Sequence, residues 1–181
     1  MKHLKKKLLA FVLSMVMVLG MAMPVLADDT SEEAEVKVSI TFKSVTFSGE
    51  NFNETTGETI STVVDTTTDA NLYDTVVTVL DQLGFSESDY AFKTVTDWYD
   101  KTKTHKALDS ITYNGVTYAT DSSHDTSNYY LGAGWTYTGS YGDNWKNNTQ
   151  YNAYNYLDSN TVSGTTANID LVYGGYKFSK T

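Results

Sequence analysis

The 181-residue chain contains no cysteine, no arginine and a single proline, Pro24. Without cysteine there is no disulfide framework and no thiolate nucleophile. There is also no cysteine to be lipid-modified behind an export signal. A cysteine-free exported domain relies on its hydrophobic core, as is common for exported proteins of Gram-positive bacteria. With one proline near the start, no sortase-type Leu-Pro motif stands near the end, and the final stretch YGGYKFSKT carries no hydrophobic tail.

Catalytic signatures are equally sparse. No G-x-S-x-G elbow, H-E-x-x-H pair, P-loop or dinucleotide fingerprint occurs. Of three histidines, two lie beyond the first 27 residues. His105, between Lys103 and Lys106 in KTKTHK, reads as a solvated histidine in an exposed loop. His124, in DSSHD between Asp121 and Asp125, is compatible with a weak metal site or a Ser-His-Asp grouping. Three neighbours in one polar loop do not make a triad, whose members are held by rigid elements. The pairs Asp97/Asp100 and Asp121/Asp125 lack the order of a calcium loop. A carboxylate pair for glycoside hydrolysis stays open, because such acids are distant in sequence. The expectation is a protein that is not an enzyme and carries no cofactor.

The N-terminus has what the rest lacks. Four lysines, Lys2, Lys5, Lys6 and Lys7, precede an apolar run from Leu8, and Val25-Leu26-Ala27 leads into acidic residues from Asp28. A basic start, an apolar middle and a small-residue end describe a secretory signal peptide cleaved after Ala27. The rival reading is a retained membrane anchor. Cleavage leaves 154 residues with nine lysines against 22 acidic residues, a formal charge of −13. Such a charge disfavours nucleic acid and anionic membranes as partners. The expected organisation is a signal peptide over 1–27, a disordered acidic leader over 28–34 and one domain over 35–181.

Along that domain, Val36, Val38, Ile40 and Phe42 alternate with polar residues, the period of a half-buried strand. Residues 48–58, SGENFNETTGE, read as a loop, and TISTVVDTT (59–67) as a second strand. Leu72, Val76, Val79, Leu80 and Leu83 recur at helical spacing between Asn71 as cap and Gly84 as stop, predicting a helix over about 71–83. A strand is expected over Tyr90–Val95 and an irregular segment over 96–109. In SITYNGVTYA, Asn114-Gly115 is the preferred pair for a two-residue hairpin turn. Residues 120–128 read as a polar loop, and NIDLVYGGY as the terminal strand. One helix early among many strands gives an α+β class.

What is abundant is aromatic. Eleven of 14 tyrosines lie at or after Tyr113, with Trp135 and Trp145. In GWTYT, Trp135 and Tyr137 share one strand face, and a tryptophan there is ordinarily core. In the stretch that follows, Tyr141, Asp143, Asn144, Trp145 and Tyr151 sit among glycines and amides, as ligand-contacting loops do. Together with Tyr137 they form the candidate ligand-binding set.

The order VTVLDQLGF, SITYNGV, GWTYT, IDLVYGGY resembles a bacterial family of secreted domains of unknown function, similar to the C-terminal domain of transcobalamin and intrinsic factor. The residues that carry the resemblance are Leu80 and Leu83 on the helix, Asn114 and Gly115 at the hairpin, Gly134 and Trp135 in the signature, and Tyr173 in the closing strand. The chain departs from the pattern at Thr138-Gly139-Ser140 and at Val162-Ser163-Gly164-Thr165. The resemblance implies a β-grasp-like mixed sheet packed on one main helix. It also implies a cell-surface binding or interaction module. In the vertebrate carriers this domain caps cobalamin together with a helical domain that is absent here. Glycan, corrinoid or a surface protein are therefore the expected partners. A purely structural or adhesive domain is the alternative, and a carboxylate glycan hydrolase a weaker one.

Overall fold

The computed structural model describes residues 32–68, 70–97, 100–140, 157–159, 161–162 and 166–180. Alternation governs the first hairpin. β1 (Glu33–Ser48) buries Ala34, Val36, Val38, Ile40 and Phe42 while the residues between them face outward. It pairs antiparallel with β2 (Asn51–Thr67). The segment 48–58, expected as a loop, is instead mostly strand: Phe47 pairs with Phe52, and only Gly49-Glu50 turn the chain. Alternation fails there because the register shifts between Thr41 and Lys43, so that Gly57 and Glu58 share the place opposite Phe42. Such a bulge re-aims every side chain beyond it.

α1 (Leu72–Gln82) follows. The Asn71 carboxamide accepts the Tyr73 amide N–H at 2.8 Å as N-cap, and Asp74 occupies the first turn, where the helix dipole favours an anion. Gly84 ends it with φ 88°. Leu72, Val76, Val79 and Leu80 form the buried stripe.

β7 (Thr166–Ser179) runs parallel to β1, and β6 (Tyr129–Ser140) pairs antiparallel with β7. The first sheet thus has the order β2-β1-β7-β6, and β3 (Tyr90–Thr96), β4 (Thr104–Tyr113) and β5 (Val116–Ala119) form the second. Residues 104–109, expected to be irregular, lie in β4. A register shift between Ala91 and Phe92 breaks their period and places Ala107 and Leu108 inside as neighbours. A two-bond bridge between Asp121 and Ala133 (2.8 and 2.9 Å) joins the chain leaving β5 to the edge of β6. Both sheets and α1 contribute to a single core cluster. Among the described residues there is one α-helix, so the fold is α+β and predominantly strand. No described helix is long and apolar enough to cross a membrane.

On the outer face, Glu35 of β1 stands directly opposite Asp65 of β2, a like-charge pair that opposes the hairpin. Asp65→Lys is expected to stabilise the fold by about 0.2–1 kcal/mol. Leu80→Ala, which empties a fully buried site, should cost about 2–5 kcal/mol. Urea unfolding of the two variants beside the parent checks both signs.

Candidate functional site

The residues of the GWTYT signature are built into the join between the sheets. Trp135 is 1% exposed, and its indole N–H donates to the Tyr118 carbonyl at 2.9 Å. The Tyr173 hydroxyl donates to the Ala119 carbonyl, also at 2.9 Å. Two side chains of the first sheet therefore satisfy consecutive backbone carbonyls of β5. Phe42 is stacked on Tyr113 (centroids 4.7 Å apart, 7° between planes) and edge-on to Trp135 at 5.8 Å, while the Trp135 and Tyr173 rings touch each other directly at 5.4 Å. Tyr118 and Tyr173 complete the cluster at 5.4 Å. Burial holds the Tyr173 hydroxyl above the ordinary tyrosine range, with the Asp121 carboxylate adding to the shift.

Glycine in LGAGW answers to the other side of β6. Tyr176 of β7 pairs with Gly132. A Cβ at Gly132 would collide with the Asp121 carbonyl and the Tyr176 ring. Gly134, with only ordinary contacts to Thr120 and Tyr176 in prospect for a Cβ, is less constrained.

Of the candidate ligand-binding residues, Tyr137 is placed in the core, 1% exposed. The alternation that turns Trp135 inward turns Tyr137 inward with it. Tyr141, Asp143, Asn144, Trp145 and Tyr151 lie outside the described residues. The chain on either side of them is well held. Ser140 is paired with Asn168 at the end of the β6–β7 ladder. A short 3₁₀ turn, Leu157–Ser159, buries Leu157 and is fastened on several sides. The Asp158 carbonyl accepts the Asn71 carboxamide at 3.1 Å. One Asp158 carboxylate oxygen accepts the Lys106 amide at 2.9 Å.

His105 completes this fastening. It is not a solvated loop residue but a half-buried one on β4, its side chain 15% exposed. Its Nε2 lies 3.0 Å from an Asp97 carboxylate oxygen, and its Nδ1 lies 3.2 Å from one of Asp158 and 2.9 Å from the Ser159 hydroxyl. The setting differs from a solvated loop because residues 104–109 form a strand and because Asp158 and Ser159 reach the ring from 53 and 54 residues further along the chain. Ser159, His105 and Asp97 look superficially like a catalytic triad. Nδ1 is shared between the Ser159 hydroxyl and an Asp158 carboxylate oxygen, and which group donates follows from the ring's tautomer. The two aspartates approach opposite edges of the ring and do not converge on one point. Among the described residues, no group of three or more histidines and acids could hold a metal ion.

His124 is likewise engaged locally: its ring stacks on Phe47 at 3.7 Å, and Nε2 lies 3.4 Å from Asp121. Hydrogen bonds from Ser123 hold the Asp121 carboxyl below the usual carboxylate range. Asp125 accepts the Leu131 amide at 2.8 Å and lies 3.4 Å from the Lys180 ammonium. These acids brace the 120–128 loop against β6 and β7. Compared with protein-family models, curated proteins and solved structures, the chain finds no match.

Trp135→Phe keeps an aromatic ring but leaves the Tyr118 carbonyl without its donor, and should cost about 1–3 kcal/mol in chemical denaturation. Tyr173 gives a pH signature. Its pKa is raised by folding, so its contribution is fully present below the unfolded value of about 10 and is lost as pH rises through the folded value. Tyr173→Phe should flatten the alkaline loss of stability, measured as melting temperature against pH.

Proposed function

We propose that this chain is an exported, non-catalytic binding module of the transcobalamin C-terminal-like type, with its contacts made by the tyrosine-, tryptophan- and asparagine-rich segment between β6 and the Leu157–Ser159 turn. The observation that carries the reading is how firmly the frame holds both ends of that segment. One end leaves a strand laddered on β7, and the other enters a turn bonded to Asn71, His105 and Lys106. Variable contact residues presented from a rigid scaffold are the usual arrangement of binding loops. Residues 141–156 carry one tryptophan, four tyrosines and five asparagines. Tyrosine supplies contact area at low entropic cost, and amides supply adaptable hydrogen bonds, the same chemistry that antibody paratopes use.

The β-grasp assignment is part of the same proposal. It is supported by a first hairpin followed by a helix, and by a last strand parallel to the first at the centre of the sheet. A glycan, a corrinoid or another surface protein fits the aromatic and amide chemistry. The acidic charge of the chain makes nucleic acid a poor partner.

Titrating the exported protein with corrinoids and a panel of wall and host glycans, read by tryptophan fluorescence, tests the reading. A saturable response that Trp145→Ala abolishes, with circular dichroism unchanged, is the expected outcome. Silence towards every ligand would leave a structural or adhesive domain, and turnover of any glycan would make the protein a hydrolase.

A further inference from the structure

Asn114 and Gly115 form the two-residue turn between β4 and β5, with φ of 50° and 77°, the signs of a type I′ turn. Both residues are exposed. Tyr113 and Val116 close the hairpin on either side. The Gly115 amide N–H donates to no described group, and its residue has no side chain to hinder that nitrogen. The turn is moored to β2 by one carboxylate. Glu58 accepts the Tyr113 hydroxyl at 2.8 Å through one oxygen and faces the Asn114 carboxamide nitrogen at 3.5 Å with the other. The same hydrogen bond holds the Tyr113 hydroxyl above the ordinary tyrosine range. Behind the mooring, the Tyr113 ring lies flat on Phe42.

We propose that Asn114 is a self-modifying site, whose deamidation releases the β4–β5 hairpin tip from β2 irreversibly. Solvent base takes the Gly115 amide proton, and the nitrogen attacks Cγ of Asn114. The new N–C bond closes a five-membered succinimide. The bond from Cγ to the carboxamide nitrogen breaks, and that nitrogen takes up a proton and leaves as ammonia. Water then adds at one of the two ring carbonyls and opens the ring, yielding aspartate or isoaspartate. No redox partner is required.

The surrounding geometry controls both rate and consequence. Cyclisation needs the Gly115 nitrogen to swing towards Cγ, which a closed type I′ turn resists, so reaction proceeds when the tip opens. The Tyr113–Glu58 bond and the Phe42 stack set how often that happens. Either product places a carboxylate beside Glu58, where like charges repel. Isoaspartate also adds a methylene to the backbone of a two-residue loop, so the pairing of Tyr113 with Val116 loses its register.

Ageing the full chain at neutral and mildly alkaline pH in heavy-oxygen water, followed by peptide mapping in a mass spectrometer, tests this. Asn114 should convert ahead of every other asparagine, with uptake of heavy oxygen and faster at the higher pH. Tyr113→Phe retains the ring on Phe42 but unties Glu58, and should convert several-fold faster. Asn114→Asp reproduces one product, and should raise hydrogen exchange at the Tyr113 and Val116 amides. Conversion of Asn114 no faster than that of other asparagines overturns the site. An unchanged rate in Tyr113→Phe overturns the role of the mooring, and unchanged exchange in Asn114→Asp overturns the release.

Discussion

Two aromatic donors reaching across from one sheet to the backbone of the other are what the remaining architecture depends on. β5 is only four residues long and would be a weak edge by itself. Its Tyr118 and Ala119 carbonyls are taken up by the Trp135 indole and the Tyr173 hydroxyl. A buried carbonyl left without a donor costs as much as the bond contributes, so the two contacts fix where the sheets sit relative to each other. Phe42 packs beside the donors, with Tyr113, Tyr118 and Trp135 stacked, tilted or edge-on against it. The single Asp121–Ala133 bridge extends the join along β6.

This arrangement accounts for a composition with many tyrosines and no cysteine. A disulfide stabilises by a covalent tie; here tyrosine and tryptophan do comparable work with an apolar body in the core and a polar tip on a backbone group. Tyr113 repeats the device at the periphery, with its ring on Phe42 and its hydroxyl on Glu58. The polar counterpart is His105, which ties the ends of three separated segments through Asp97, Asp158 and Ser159. The His105 fastening sits at Leu157–Ser159, where the chain returns after the segment that carries the candidate contact residues.

Regular periods were legible in the chain and broken ones were not. Val36 to Phe42, the stripe of α1 and the Asn114-Gly115 hairpin could each be read because side-chain direction and local turn chemistry agreed. The arm of β1 and β2 beyond Phe42 escaped because the bulge at Gly57-Glu58 reverses the period and glycines with polar residues imitate a loop. The first half of β4 escaped for the same reason, with Ala107 and Leu108 both turned inward. The inward direction of Tyr137 followed from its spacing to Trp135, so its place in the core was available before any coordinates. The setting of His105 was not, since its partners lie eight residues before it and 53 after it.

By itself, then, the sequence determined the elements whose signals are local: the capped helix, the alternating strands and the two-residue turn, within an acidic, aromatic-rich composition. Tertiary structure alone decided the parallel placement of β7 beside β1, the stitching of β5 by Trp135 and Tyr173, and the clamp around His105. Each of these joins groups far apart in the chain, and their energy depends on distances that no local pattern encodes. A tyrosine or a histidine is written identically whether it faces water or a carbonyl. Only the fold says which.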